Sequence, residues 1–166
     1  MAMTKGLIMV VEDDARIRKL HCDLLRHDGH TVFSARNGGE ALSYLYSVVP
    51  TVVLLDIRMP GLDGLEVCRR IRKANLHHVP VVFLTNFDGA EIVRSAFEAG
   101  GDDYVLKCNG TKGVVERVRY WCRRGRDSEM LRRRESILAA LRSGESPQLV
   151  EEVREPETAS PSGTDG

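Results

Sequence analysis

The sequence predicts an α/β protein with a doubly wound, five-stranded parallel sheet. Five short runs of β-branched and aliphatic residues recur along the chain, and each is followed by a segment with apolar residues at helical spacing. The strand runs are apolar on both faces, which is typical of buried strands in a parallel sheet. Together these patterns indicate five consecutive β–α units around a single core.

The boundaries of the predicted elements follow from local residue types. Strands are expected at 7–11, 31–34, 51–55, 79–84 and 104–106. Asp14 and Asn37 are residue types that cap the amino ends of helices, so we expect them to begin the first and second helices. Gly29 and Gly100 stand where the first and fourth helices should end, because glycine readily adopts the left-handed conformation found at helix termini.

A chain of 166 residues has room for one domain and an appendage. We predict a domain at 1–125, a C-terminal helical extension at 126–144 and a disordered acidic tail at 145–166. The extension should contain a helix from about Asp127 to Ser143, and its apolar residues need a surface to cover. That surface is either the preceding domain or a second copy of the chain; a frayed extension is the remaining alternative.

Composition and targeting signals predict a soluble, cytoplasmic protein. The longest apolar run is far shorter than the roughly 20 residues that span a membrane, and the N-terminus lacks a signal-peptide pattern. The four cysteines are widely spaced with no CxxC pair, so reduced thiols are expected. The group His21, Cys22, His27 and His30 fits no standard zinc spacing, and its histidines are expected on the surface.

Three carboxylates follow predicted strands: Glu12 and Asp13 after the first, and Asp56 after the third. Because ligands bind at the carboxyl ends of the strands in an open parallel sheet, these side chains should share one pocket. Converging carboxylates raise each other's pKa unless a cation neutralises them, and Mg²⁺ suits such oxygen ligands. An Asp carboxylate beside this ion can act as a nucleophile toward a phosphoryl group.

Four ordered motifs make this pattern specific: VVEDD at 10–14, LLDIRMPGLDG at 54–64, FLTN at 83–86 and GGDDYVLK at 100–107. From about Met3 to Arg124 the chain resembles the receiver domains of response regulators, the chemotaxis-regulator-like switches of two-component signalling. The resemblance implies a flavodoxin-like (βα)5 fold. It also implies that Glu12 and Asp13 hold Mg²⁺, that Asp56 is phosphorylated and contacts the metal, and that the backbone carbonyl of Arg58 is a further metal ligand.

The same resemblance assigns residues on the later strands. Thr85 and Lys107 are expected to bind phosphoryl oxygens, since a hydroxyl and a compact ammonium both donate to an anion. Tyr104 matches the switch aromatic of the family. Receivers usually place proline after the lysine equivalent to Lys107, whereas this chain has Cys108, so a cis peptide bond is not expected there.

The implied function is a phosphorylation switch that catalyses its own phosphoryl transfer and slow dephosphorylation, without being an enzyme for a separate substrate. A histidine kinase or histidine phosphotransfer protein should donate the phosphoryl group, and a downstream protein should read the result. A homodimer is an open alternative, and no membrane partner is expected. Arg58 and Phe87 match positions beside the pocket mouth, where they are expected to shield the acyl phosphate from water.

Other classes of protein fit the residues less well. A degenerate receiver that binds a partner without phosphorylation conflicts with the intact acidic and basic site residues. A haloacid-dehalogenase-like hydrolase would need a second aspartate two positions after Asp56, where Arg58 stands. Residues 112–135 hold 9 Lys/Arg against 4 Asp/Glu, but the interleaved acids favour a solvated helical face, so direct DNA binding is not expected.

Overall fold

The computed structural model describes residues 4–86 and 89–144. Two predictions fall outside this part of the chain: the disordered acidic tail at 145–166 and the shielding role of Phe87. The strands are β1 Leu7–Val11, β2 Thr31–Ala35, β3 Val52–Asp56, β4 Val81–Thr85 and β5 Asp103–Leu106. The α-helices are α1 Ala15–His27, α2 Gly38–Leu45, α3 Gly64–Lys73, α4 Ala90–Glu98, α5 Lys112–Arg124 and α6 Ser128–Arg142, with a 3₁₀ turn at Lys107–Asn109.

The five strands form one parallel sheet in the order β2-β1-β3-β4-β5. This confirms the predicted fold class. The fourth strand begins at Val81 instead of the predicted residue 79. The Val79 N–H donates to the Leu76 carbonyl within the preceding turn, and Pro80 has no N–H to donate to the sheet. The third strand continues to Asp56, which pairs with Leu84 of β4.

Alternate strand residues face two separate apolar layers. One layer packs α1 and α5 against residues such as Val10 and Leu54, and the other packs α2, α3 and α4 against Val11 and Leu55. Both layers are closed to water, so the side chains of β3 are buried on both faces. The polar residues at the strand ends therefore project from a rigid, fully packed base.

The helix caps follow the prediction. Asp14 accepts hydrogen bonds from the first backbone N–H groups of α1, and Asn37 accepts one from Glu40 in α2. Gly29 and Gly100 lie just beyond α1 and α4 with φ of +92° and +105°. These conformations strain residues that carry a Cβ, which explains the choice of glycine at both positions.

The helix α6 lies within the predicted range and contacts α4 of the same chain. Its apolar side is buried at Met130, Ile137, Leu138 and Leu141. Arg134 anchors it by donating to the backbone carbonyls of Gly101, at 2.9 Å, and Phe97. The extension thus covers part of the domain that precedes it.

Two expectations about surface residues are wrong. Arg126 and Arg134 do not belong to a solvated helical face: Arg126 is almost fully buried against Asp102, with Nε 2.6 Å from Oδ1, and Arg134 bonds backbone carbonyls. His21 and His30 are also buried. Sequence periodicity could not indicate these partners, because Asp102 and the carbonyls of Phe97 and Gly101 meet the arginines only through tertiary packing.

Within the described ranges, no helix is long and apolar enough to cross a bilayer. The four cysteines are free thiols, with Cys22, Cys68 and Cys122 buried and Cys108 exposed. The described residues contain no cis peptide bond, in line with the expectation at Cys108.

Candidate functional site

The predicted carboxylates meet at the carboxyl edge of the sheet. One carboxylate oxygen from each of Glu12, Asp13 and Asp56 lies within 4.8 Å of the others. Glu12 follows β1 and Asp56 ends β3, two adjacent strands, so the parallel register places both at the same height. Glu12 and Asp56 are buried, whereas Asp13 is exposed. The pocket therefore has a buried floor of two carboxylates and one acidic residue toward solvent.

Lys107 inserts its ammonium group between the two buried carboxylates. Its Nζ lies 2.7 Å from Oε2 of Glu12 and 3.1 Å from Oδ1 of Asp56. The lysine follows β5 directly, two strands away from Asp56, and only 11% of its side chain is exposed. It supplies the one positive charge in direct contact with the two buried carboxylates among the described residues.

Burial disfavours the ionised form of both carboxylates. Burial raises the pKa of Glu12 to about 7; Lys107 opposes this rise, and the charge of Asp56 adds to it. Burial also raises the pKa of Asp56, against the opposing charge of Lys107. Burial disfavours the Lys107 ammonium too, but its contacts with both carboxylates outweigh that effect and raise its pKa. The site is thus short of positive charge.

The first loop is held by contacts that the sequence did not indicate. Arg18 of α1 donates from Nη1 to the backbone carbonyls of Glu12, at 2.7 Å, and Asp13, at 3.2 Å. The N–H of Asp14 donates to Oε1 of Glu12 at 3.3 Å. The bonds from Arg18 hold the loop backbone that carries both acidic residues, so Arg18 is a positioning residue that sequence reasoning missed.

Gly64 is a second residue whose role was missed. At the start of α3 it packs against the end of β3 so tightly that a Cβ would lie 2.1 Å from the carbonyl oxygen of Asp56. Its N–H donates to the Ile57 carbonyl at 2.8 Å. Only glycine fits here without moving the Asp56 backbone. The Asp63–Gly64 pair before an apolar helical run was the available sequence signal.

The remaining predicted residues occupy the same edge or the strand beneath it. Thr85 is buried at the end of β4, and Arg58 is exposed in the loop after Asp56, with its backbone N–H bonded to that aspartate. Tyr104 is buried in β5, opposite Phe83 of β4. The structure therefore brings Lys107 to the acidic pocket, places Thr85 at the same edge of the sheet on the strand beside Asp56, and places Tyr104 on the next strand.

The residues present fit a hard divalent cation. Oε2 of Glu12 is buried, and its one charged neighbour in the described part of the chain is the Lys107 ammonium 2.7 Å away. All three acidic groups offer oxygen, the ligand that Mg²⁺ prefers. Among the described residues no other group of three or more acidic, histidine or cysteine side chains meets metal-ligand spacing.

Comparison with known proteins agrees with this geometry. The response regulator receiver domain family matches residues 8–119. The chain is 42% identical over 118 residues to the transcriptional regulatory protein ResD of Bacillus subtilis, covering 70% of this chain and 48% of that protein. It spans about half the length of the curated relatives it matches.

Two solved structures share the fold. The receiver domain of the Francisella response regulator 1452 is 28% identical, with a TM-score of 0.68 over 72% of this chain and 98% of that one. The response regulator protein TrrA from Thermotoga maritima, solved in complex with Mg²⁺ and BeF, is 35% identical, with a TM-score of 0.62 over 69% of this chain and 97% of that one. The chain belongs to the response regulator receiver domain family, the phosphoacceptor switches of two-component signalling.

Proposed function

We propose that this chain is a cytoplasmic phosphorylation switch in which Asp56 accepts a phosphoryl group in a Mg²⁺-dependent reaction. A histidine kinase or histidine phosphotransfer protein donates the group, and a downstream protein reads the change. The observation that carries the proposal is the Lys107 ammonium held between the buried carboxylates of Glu12 and Asp56. A buried site with two carboxylates and one ammonium group, open to solvent at Asp13, suits the binding of a phosphoryl dianion together with a metal ion.

The chemistry assigns one role to each side chain. An Asp56 carboxylate oxygen attacks phosphorus, the phosphorus–nitrogen bond of the donor histidine breaks, and that nitrogen leaves with the electron pair. Lys107 then binds a phosphoryl oxygen through its ammonium, and the Thr85 hydroxyl donates to another. Glu12, Asp13, Asp56 and the Arg58 carbonyl would hold Mg²⁺, which when bound neutralises charge on the carboxylates and the phosphoryl group.

The output follows from the position of Thr85 beside β5. When Thr85 moves toward the phosphoryl group, space opens above the neighbouring strand and the Tyr104 ring fills it. This shifts the population of two conformations of the later helices and their affinity for a protein partner. Residues 1–125 form the switch in this proposal, and 126–144 form a helical extension of it.

Phosphodonor labelling tests the proposal directly. The full chain is incubated with acetyl phosphate and Mg²⁺, and intact mass spectrometry measures the gain of one phosphoryl group. We expect labelling of the wild type and none of Asp56→Asn, which removes the nucleophile and relieves repulsion at Glu12.

Asp23→Asn is the matched control, because Asp23 is an exposed aspartate of α1 paired with Lys19. It should label like the wild type. Labelling of Asp56→Asn at the wild-type level would disprove the site, and a wild type that never labels would favour a degenerate receiver.

A further inference from the structure

Helix α6 closes a crevice between α4 and α5. The crevice is lined by apolar residues of all three helices: Phe97 of α4, Tyr120 and Trp121 of α5, and Met130 and Ile137 of α6. The phenol oxygen of Tyr120 lies 3.7 Å from the sulphur of Met130. The space left enclosed is about 20 Å³, which is room for about one water molecule. The helix is therefore closely packed on an aromatic surface of α4 and α5.

The buried side chains of α6 lie on one side of the helix. They are Met130, Ile137, Leu138 and Leu141. The first packs with the apolar layer of α1 and α5, and the other three pack with the layer of α2, α3 and α4. The last turn of α6 stays at the carboxyl end of α4, where Arg142 donates from Nε to Glu98 at 3.2 Å. Helix α6 therefore joins the two apolar layers along its whole length.

Two arginines fix α6 to the segment between α4 and β5. Arg134 donates to the backbone carbonyls of Phe97 and Gly101, the second at 2.9 Å. Arg126, just before α6, pairs with the buried carboxylate of Asp102, with Nε 2.6 Å from Oδ1. These contacts reach the last turn of α4 and the loop after it. The position of α6 therefore depends on the position of that segment.

The same segment leads directly to the proposed phosphorylation site. Strand β5 begins at Asp103, carries Tyr104 and is followed by Lys107, whose ammonium contacts Asp56. Asp103 also accepts a hydrogen bond from Nε1 of Trp121 at 3.0 Å, beside the crevice that α6 closes. A movement of α4 or of the start of β5 therefore disturbs the contacts that hold α6.

We propose that α6 is an autoinhibitory helix: it occupies a protein-docking surface formed by Phe97, Tyr120 and Trp121, and phosphorylation of Asp56 releases it. This inference rests on the proposed function, in which the phosphoryl group shifts the later helices. Because α6 is bonded to the end of α4 and to the next loop in their present positions, its docking favours that arrangement and opposes the shift. The coupling is reciprocal, so a phosphoryl group that favours the shifted arrangement weakens the docking of α6 by the same factor.

The surface beneath α6 indicates the kind of partner that replaces it. It offers three aromatic side chains to apolar residues, and the carbonyls of Phe97 and Gly101 and the carboxylate of Asp102 to cations. A basic amphipathic helix with the apolar spacing of α6 matches both features. The downstream protein binds through such a helix, and α6 competes with it until phosphorylation.

Hydrogen exchange of the full chain tests the release of α6. The protein is compared in Mg²⁺ alone and in Mg²⁺ with beryllofluoride, a mimic of the phosphoryl group, and fluorine NMR of the same samples measures bound beryllofluoride. We expect the protection of amides across 128–142 to fall by about fivefold, and that of α2 to stay unchanged. Bound beryllofluoride with unchanged exchange across 128–142 would overturn the release and leave the proposed function intact. A wild type that neither binds beryllofluoride nor is labelled by acetyl phosphate would overturn both.

A matched pair of variants on α6 tests the autoinhibition. Arg134→Gln removes the contacts with the carbonyls of Phe97 and Gly101, whereas Arg132→Gln removes an exposed arginine of the same helix. We expect Arg134→Gln to bind beryllofluoride in Mg²⁺ about fivefold more tightly than the wild type, and Arg132→Gln to bind like the wild type. Leu141→Ser loosens the last turn without changing an arginine and should act in the same direction as Arg134→Gln. Wild-type affinity in both Arg134→Gln and Leu141→Ser would contradict the proposal.

A synthetic peptide of residues 126–144 tests the docking surface itself. Fluorescence anisotropy of the labelled peptide should show binding to the Arg134→Gln chain loaded with beryllofluoride, and much weaker binding to the wild type in Mg²⁺ alone. The control peptide carries Ile137→Ser and Leu141→Ser, which remove apolar groups and keep every charge. No binding of the natural peptide to the loaded variant, or equal binding of the two peptides, would overturn the docking surface.

Discussion

The Lys107 ammonium lies closer to Glu12 than to Asp56, at 2.7 Å against 3.1 Å. The positive charge of Lys107 therefore compensates the carboxylate of Glu12 more closely than the carboxylate of Asp56, the proposed phosphoryl acceptor. If Glu12 held a divalent cation, the charge of Lys107 would be available to an anion on Asp56. One side chain would then link metal binding to phosphoryl binding.

Mg²⁺ affinity should depend on pH because Glu12 has a pKa of about 7, well above its ordinary value of 4.5. Below pH 7 a proton occupies the carboxylate and competes with the metal. We expect affinity to fall by up to about tenfold per pH unit below 7 and to level off above it. Calorimetric titration with MgCl₂ between pH 5.5 and 8.5 measures this dependence.

Glu12→Gln with Asp13→Asn should weaken Mg²⁺ binding at every pH and remove the pH dependence of the affinity near pH 7.

In the metal-free wild type, the raised pKa of Glu12 contributes to the stability of the fold. This contribution is present below pH 4.5 and is lost as pH rises through about 7. Thermal melting with and without Mg²⁺ checks this sign. A flat affinity in the wild type would place the metal elsewhere.

Gly64→Ala should destabilise the domain and impair labelling of Asp56, because its Cβ would lie 2.1 Å from the Asp56 carbonyl oxygen. We expect a loss of about 3 kcal/mol in the free energy of unfolding. Gly39→Ala is the matched control: it lies in α2, where the added Cβ meets only ordinary contact at 3.5 Å, and alanine favours a helix. Urea unfolding compares the two, and equal stability would refute the close contact.

Asp102→Asn should loosen α6 and the start of β5. The carboxylate accepts hydrogen bonds from Arg72 at 2.9 Å and Arg126 at 2.6 Å, and both arginines are largely buried. Removing its charge leaves two guanidinium groups without their counter-ion, for which we expect a cost of about 3 kcal/mol.

The effect of Asp102→Asn should appear as faster hydrogen exchange across 128–142. Glu98→Gln is the control, since Glu98 and Arg142 form an ion pair in which 41% and 61% of the respective side chains are exposed. Such an exposed pair should contribute little to stability. Similar exchange in both variants would show that Asp102 does not hold α6.

Arg58→Asn with Phe87→Ala should shorten the lifetime of phosphorylated Asp56. Arg58 is exposed in the loop after the acceptor, where a guanidinium can pair with phosphoryl oxygens but cannot serve as a general base for water. Decay is followed by intact mass at constant Mg²⁺ and temperature. Equal or slower decay in the double variant would refute shielding.

The sequence by itself determined the five strands, the order of the β–α units and the edge at which Glu12, Asp56 and Lys107 meet. These features depend on local periodicity and on one rule of parallel sheets, that successive strands end on the same side. The helix caps at Asp14 and Asn37 were equally local, since each side chain bonds backbone within three residues.

Only the tertiary structure decided which charges meet. The insertion of Lys107 between two carboxylates, the bonds from Arg18 to the first loop and the approach of Gly64 to Asp56 depend on how separate elements pack. For the same reason Arg126 is buried although its neighbours suggested a solvated face. Periodicity reports which side of an element is apolar, whereas partners across the core depend on distances between elements that only the folded chain sets.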